Sequence, residues 1–468
     1  MLNRRRLLFS GAAIAAVTAA SVPFAFSGDS PAGEEVIAWL KANAVPLATT
    51  EPGSGFQDIE FLRPIIDQAR IVSIGEATHG TREFFQIRHR LIEYCVSQLG
   101  FSMIGLEAMY GEEQALNDYV LTGKGSAADA IAGMISLIWQ NKEMIAILEW
   151  VRAWNLANER KVKFYGFSMQ RTKPASDRLL GYLKRLAPDL AAAIEKPLAP
   201  DVVDKFATLS GPAPYEIIAQ IKHVLDRFDA ERMTWTARSS ELEWRLARQC
   251  VVVMEQLTRW ANLPARSSFR DQRNSFRDQC MADNVSALLE AEGPQTKALL
   301  LAHNEHVQRA PVSWFSSMGT FTSMGNFLHA RFGAEQAVIG FSFNQGSFRA
   351  VGTVDSRDRG GAYDTALHEW VVGAAPAHFV DATLARTGLP LFALNLKAVP
   401  QNGSVAQWMA SKPWQRAIGI GFSHGTVNAP PPLIKPYVKS GDPRDRYDVL
   451  VFVESTTATH YIPRRAKV

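Results

Sequence analysis

Cysteine is scarce: Cys95, Cys250 and Cys280 are the only three in 468 residues. They form an odd trio without metal-ligand spacing, so no cysteine-based metal site follows from them. Each sits in a helix-like pattern, where a free cysteine is usually a small buried hydrophobe. One disulfide is possible, and a thiol nucleophile is not expected. Charge of one sign is also scarce. The 50 basic and 46 acidic residues leave a net charge of +4. No Lys/Arg block occurs beyond the extreme N-terminus, so nucleic acid is not an implied partner. The zincin motif H-E-x-x-H is absent. There is no internal repeat; "FRDQ" recurs at 269–272 and 276–279, but seven residues apart on one predicted helix this is local duplication.

Long apolar runs are missing too, except near the start. "MLNRRRLLFSGAAIAAVTAASVPFAFS" has a basic beginning, an Ala/Val-rich stretch short for a spanning helix and small residues near its end. Asn3 to Leu8, "NRRRLL", looks like a twin-arginine export signal. Residues 1–28 are therefore expected to be a cleaved signal, and the mature protein soluble and periplasmic or secreted, without stable membrane association. An N-terminal membrane anchor is the alternative.

What is present is an alternation of strands and helices. Two short helices are expected in "EEVIAWLKANAVPL" and "SGFQDIEFLRPIIDQA". "ARIVSIG" is a buried-strand signature. Phe84, Phe85, Ile87, Leu91, Ile92, Cys95 and Leu99 then recur at helical spacing, with Gly100 as a stop. "FSMIGLEA" closes a βαβ unit, so its two strands should be parallel. A helix over 139–155, a third strand "VKFYGFSMQ", and later strands "KALLLAHNEHV", "AVIGFSFNQGSF" and "YDVLVFVEST" continue the pattern. This predicts an α/β fold with a largely parallel sheet flanked by helices. Residues 174–291 are mostly helical and too long for a simple crossover, so they read as an inserted helical lobe. It would separate core segments 29–173 and 292–468.

Ligands of parallel α/β sheets sit beyond the carboxyl ends of the strands. There the first strand delivers Glu76 and His79, the second Glu107, and the fourth His303 and His306. A histidine can take a proton from water near neutral pH, and a neighbouring carboxylate can fix its tautomer. A second histidine could donate to a developing oxyanion. Arg88, about two turns into the following helix, could hold a carboxylate through paired hydrogen bonds. Each group alone has a bland reading: a helix cap for Glu76 and His79, a buried backbone partner for His303 and His306. His223, His329, His368 and His378 fit surface or packing roles.

"GEATHGTREF", then "IGLEA", "RDQCMADN" and "AHNEH", resembles the erythromycin esterase family, and the likeness runs from about residue 35 to the C-terminus. The resemblance implies an α/β core with a helical lobe over the cleft, and hydrolysis of an ester or lactone without a covalent acyl-enzyme. It implies His79 as general base, with Glu76 and Glu107 as supporting acids. Arg88 matches the family's arginine, His303 its second essential histidine, and Arg277 another position near the site. His306, Arg277 and Ser168 are the expected substrate-binding residues. The family carries an acid in the third-strand motif where "GFSMQ" has Ser168, which leaves substrate choice open; "macrolide" does not follow from the motifs. No metal or other cofactor is expected.

Three rivals remain. "GFSHG" at 421–425 matches a serine nucleophile elbow, with Asp448 and His460 following in order. Three consecutive prolines after it argue against the required helix. A metal-dependent hydrolase could use Glu76, His79, Glu107, His303 and His306 as ligands. A non-enzymatic binding protein could use the eleven tryptophans, including Trp235, Trp244 and Trp260 of the lobe.

Overall fold

The computed structural model describes residues 31–264, 270–313, 319–352, 366–423 and 437–462. The expected export signal at 1–28, and the prolines after Ser423, lie outside these residues. The strands are β1 (Ala44–Pro46), β2 (Ile71–Ile74), β3 (Met103–Met109), β4 (Lys163–Ser168), β5 (Ala298–Leu301), β6 (Val312–Ser313), β7 (Thr320–Phe321), β8 (Gln336–Gly352), β9 (Leu367–Val372), β10 (Leu391–Asn395), β11 (Trp414–Arg416), β12 (Gly421–Phe422), β13 (Val438–Ser440) and β14 (Val449–Thr456).

The main sheet runs β1-β10-β14-β8-β2-β5-β3-β4. From β14 through β4 every neighbouring pair is parallel. β1 and β10 extend that edge antiparallel. β8 is 17 residues long. Its first part lies in the parallel sheet, and its far part pairs antiparallel with β9 beyond it. A second, four-stranded antiparallel sheet has the order β11-β13-β6-β7. The fold is thus α/β with a largely parallel central sheet, as the strand–helix alternation predicts.

Both sheet faces are buried. Leu299, Leu301, Ile104 and Leu106 contribute to one apolar cluster, while Leu300, Met103, Phe167 and Val338 face the other. The helix Arg82–Leu99 covers the first face, ending at Gly100 with φ 82, a left-handed conformation that suits glycine. The opposite face is covered by the helices Lys173–Leu186, Ala213–Ala230, Glu241–Asn262 and Arg270–Glu292. Leu183, Val251, Met254 and Met281 from these helices share one core with Leu300, Val338 and Phe452 of the sheet. The 174–291 segment is therefore welded to the sheet by apolar burial.

Two local expectations are corrected. The stretch read as a second helix contains only a 3-10 turn, Glu60–Leu62, and one helical turn, Arg63–Ile66. Left-handed Gly53 and Gly55 precede them, and Pro64 removes a donor. The helix expected from residue 139 begins at Lys142, because Asn141 Oδ1 accepts the Met144 N–H at 2.7 Å and caps it. Among the described residues no helix is long and apolar enough to cross a membrane.

Candidate active site

Strand register assembles the site. Ile74 aligns with both Leu301 and Ile339, and Leu301 aligns with Leu106. The chain leaves these three strands at one level, so Glu76, Glu107 and His303 emerge together at the carboxyl edge. The turn after β2 is pinned on every side. The Gly75 N–H donates to Ile339 O at 2.8 Å, Asn304 N–H to Glu76 O at 2.9 Å, and Ile418 N–H to Ala77 O at 2.7 Å. Gly80 lies against the backbone of Arg349; a Cβ there would sit 2.2 Å from Arg349 O, so only glycine fits.

His79 Nδ1 is 2.7 Å from Glu76 Oε1. The other oxygen, Oε2, accepts from Arg88 Nη1. Arg88 is fully buried, and it also donates to Gly75 O at 3.1 Å, Ile74 O at 3.2 Å and Ala302 O at 2.8 Å. It therefore ties together the ends of β2 and β5 beneath the carboxylate and does not line the cleft. Burial pushes Glu76 toward its neutral form, but the Arg88 guanidinium and the His79 bond outweigh this and hold its pKa below the ordinary value. An ionised Glu76 accepts a proton-bearing Nδ1, which leaves His79 Nε2 with a lone pair.

A second charged group stands beside it. Glu107 Oε1 accepts from Arg277 Nη2 at 3.0 Å and lies 3.2 Å from His306 Nε2. Its Oε2 accepts the His303 backbone N–H at 3.1 Å. Burial opposes charge on Glu107, yet His306 and Arg277 keep its pKa well below the usual range, so it is a carboxylate and not a proton donor. His306 Nδ1 is 2.9 Å from Asp278 Oδ2. Burial opposes charge on His306 as well, but Asp278 and Glu107 raise its pKa to about 10. A doubly protonated His306 has no lone pair for Arg277, whose Nη1 lies 2.9 Å from Nε2. The two cations converge on the shared oxygen of Glu107.

His303 caps the short helix Asn304–Val307, its Nδ1 accepting the Glu305 N–H at 3.3 Å. The ring proton is therefore on Nε2, which lies 3.4 Å from Ala77 O. Burial lowers its pKa to about 4, so the ring is neutral. The His79 and His303 rings face one another, with centroids 5.1 Å apart.

The groups border a cleft of about 800 Å³. His79, Glu107, Arg277, His303, His306 and Ser168 line it; Arg88 and Glu76 stand behind. Sequence reasoning missed Asp278, whose aspartate gives no signal inside a helical run. It missed Glu112, which accepts the N–H groups of Met109, Ile135 and Ser136 and fixes the cleft-lining loop at 135–138. It also missed the buried Glu305–Lys439 pair, 3.1 Å apart, because Lys439 arrives from the small sheet. Of the lobe tryptophans, Trp235 and Trp244 are core residues packed with Phe228, and only Trp260 lines the cleft. The serine-elbow residues do not form a triad. Asp448 sits before β14, at the amino ends of the strands, bound to Arg309 and the Val338 N–H; His460 pairs with Glu143. Among the described residues no group of three or more His, Cys, Asp or Glu is arranged to hold a metal ion.

The erythromycin esterase family model matches residues 96–456. The chain belongs to the erythromycin esterase family. It is 24% identical over 337 residues to erythromycin esterase type II of Escherichia coli, covering 67% of this chain and 78% of that one. It is 21% identical over 375 residues to the putative hydrolase YbfO of Bacillus subtilis, covering 73% and 80%. Among solved structures, a Bacillus cereus protein superposes with a TM-score of 0.76 at 21% identity over 92% and 99% of the two chains. A mutant of the erythromycin esterase EreC in its open conformation gives 0.66 at 18% identity, over 90% and 99%. These structures share the fold. Family membership makes the chain a hydrolase of the erythromycin esterase type.

Proposed function

We propose that this family member hydrolyses a carboxylic ester or macrocyclic lactone by direct attack of water activated by His79. The observation that carries the reading is the Glu76–His79 pair at 2.7 Å, set opposite the neutral His303 ring. His79 Nε2 takes a proton from water as the oxygen adds to the carbonyl carbon. Glu76, held by Arg88, stabilises the imidazolium that forms. His303 Nε2–H donates to the developing oxyanion, aided by the nearby positive charge of Arg277 and His306. Collapse expels the alcohol, which recovers the proton from His79. No side chain is acylated. The sequence at 1–28 supports export as the setting of this reaction.

The test is a panel of esters and lactones with mass-spectrometric product analysis, run beside the intact-protein mass under saturating substrate. Hydrolysis without an acyl adduct is expected. A stable acyl-protein, with fluorophosphonate labelling of Ser423, would replace this mechanism with the serine one.

A further inference from the structure

The catalytic groups come from the ends of β2, β3 and β5 and from Arg277. The cleft is also lined by Ser168, Gln170 and Arg171 at and after β4, the edge strand of the sheet, by Asp204, and by Trp260 and Leu257 from the helix Glu241–Asn262. Ser168 Oγ is buried and has no hydrogen-bond partner among the described residues. A buried hydroxyl left unpaired costs free energy that a ligand hydroxyl would recover. Asp204 is fixed in place: its Oδ1 accepts both the backbone N–H and the hydroxyl of Thr172, at 2.9 and 2.8 Å. Its other oxygen has no hydrogen-bond partner among the described residues. Arg273 stacks on the Trp260 ring at 3.9 Å, and the Trp260 Nε1–H is engaged by Arg273 O at 3.2 Å. The indole is therefore held rigid, with its polar atom turned to protein.

From these features we infer that this part of the cleft lining is a subsite for a polyhydroxylated, sugar-like ring. Such a ring presents hydroxyls that both donate and accept, and a C–H face. A carboxylate, a guanidinium, an amide and a hydroxyl answer the first; a fixed indole answers the second. One cation and one anion in the same lining favour neutral hydroxyls over a charged ligand group. Neighbouring strands are about 4.8 Å apart, so β4, three strands from β2, lies roughly 14 Å across the sheet from the strand that leads to His79. The inference rests on the esterase reading only for the position of the scissile bond.

The probes are methyl 8-glycosyloxyoctanoates carrying glucosyl, galactosyl, mannosyl or rhamnosyl groups, with methyl 8-hydroxyoctanoate as the sugar-free control. The corresponding free acids are used for binding by titration calorimetry, which needs no turnover. At least one glycoside should bind about tenfold more tightly than the control, the scale of one or two well-placed hydrogen bonds. Ser168→Ala, Arg171→Met and Trp260→Leu should each bring that ratio toward one. Binding without ester cleavage would keep the subsite and remove the esterase reading. Cleavage with all four glycosides bound no better than the control would overturn the subsite and leave the esterase reading intact. So would variants that weaken glycoside and control equally.

Discussion

Removing Arg88 should strand a charge. In Arg88→Met, the Glu76 carboxylate, with a side chain 2% exposed, loses its guanidinium partner, leaving a protonated His79 as the one remaining cationic partner among the described residues. Breaking a buried pair from one side typically costs about 3–5 kcal/mol. Arg88 also satisfies three carbonyl oxygens from two strands, so the upper end, roughly 4–5 kcal/mol, is expected. Glu76→Gln leaves the guanidinium stranded instead and should cost a similar amount. The double variant removes both charges, and its destabilisation should fall short of the sum by about 2–3 kcal/mol. Urea unfolding of the four proteins at pH 7.5 measures this. Activity should not follow stability: every variant disturbs the group that orients His79, so kcat should fall roughly 10²–10⁴-fold in all three. Additive stabilities, or a double variant that regains kcat along with stability, would refute the claim that Arg88 acts through Glu76.

Other outcomes follow from the same geometry. His306 is raised from 6.5 to about 10, so its contribution to stability is full below pH 6.5 and is lost as pH rises through about 10. Urea midpoints measured from pH 6 to 10.5 should show that loss, and Asp278→Asn should flatten it; parallel profiles would count against the Asp278–His306–Glu107 arrangement. Gly80→Ala should destabilise the protein by several kcal/mol and abolish activity, because the new Cβ meets Arg349 backbone atoms at 2.2–2.7 Å; an active, stable variant would contradict the fixed turn. The three cysteines are free and buried, and burial pushes the Cys250 and Cys280 thiols up to about 12. Iodoacetamide should label none of them in the native protein and all three after unfolding without reductant; labelling that requires reductant would reveal a disulfide.

The parallel part of the sheet was legible because its strands are short runs of Val, Ile, Leu and Phe buried on both faces, bounded by glycine or polar turns. The Arg82–Leu99 helix was legible from its period and from Gly100. Glu76, His79, Glu107 and His303 could be grouped because the carboxyl ends of parallel strands share one edge, and register then aligns them. Other parts carry no such signal. β6, β7, β11 and β12 have two or three residues, too few for any period. β1 and β10 pair antiparallel over distances of about 350 residues, which no local pattern encodes. Asp278 and Lys439 are ordinary helix-surface and strand residues by sequence; only packing turns them inward, against His306 and Glu305. The sequence makes Arg88 a candidate carboxylate clamp, and the carboxylate it clamps is the protein's own Glu76.

The most direct measurement is the kcat of His79→Ala on the ester that the wild-type protein hydrolyses fastest, taken with its thermal unfolding midpoint. His79 lines the cleft, and among the described residues its ring makes one hydrogen bond, to Glu76, so the midpoint should change by only a few degrees. General-base catalysis predicts a fall in kcat of roughly 10²–10⁴-fold. A folded His79→Ala protein whose kcat stays within a few-fold of wild type would contradict water activation by His79.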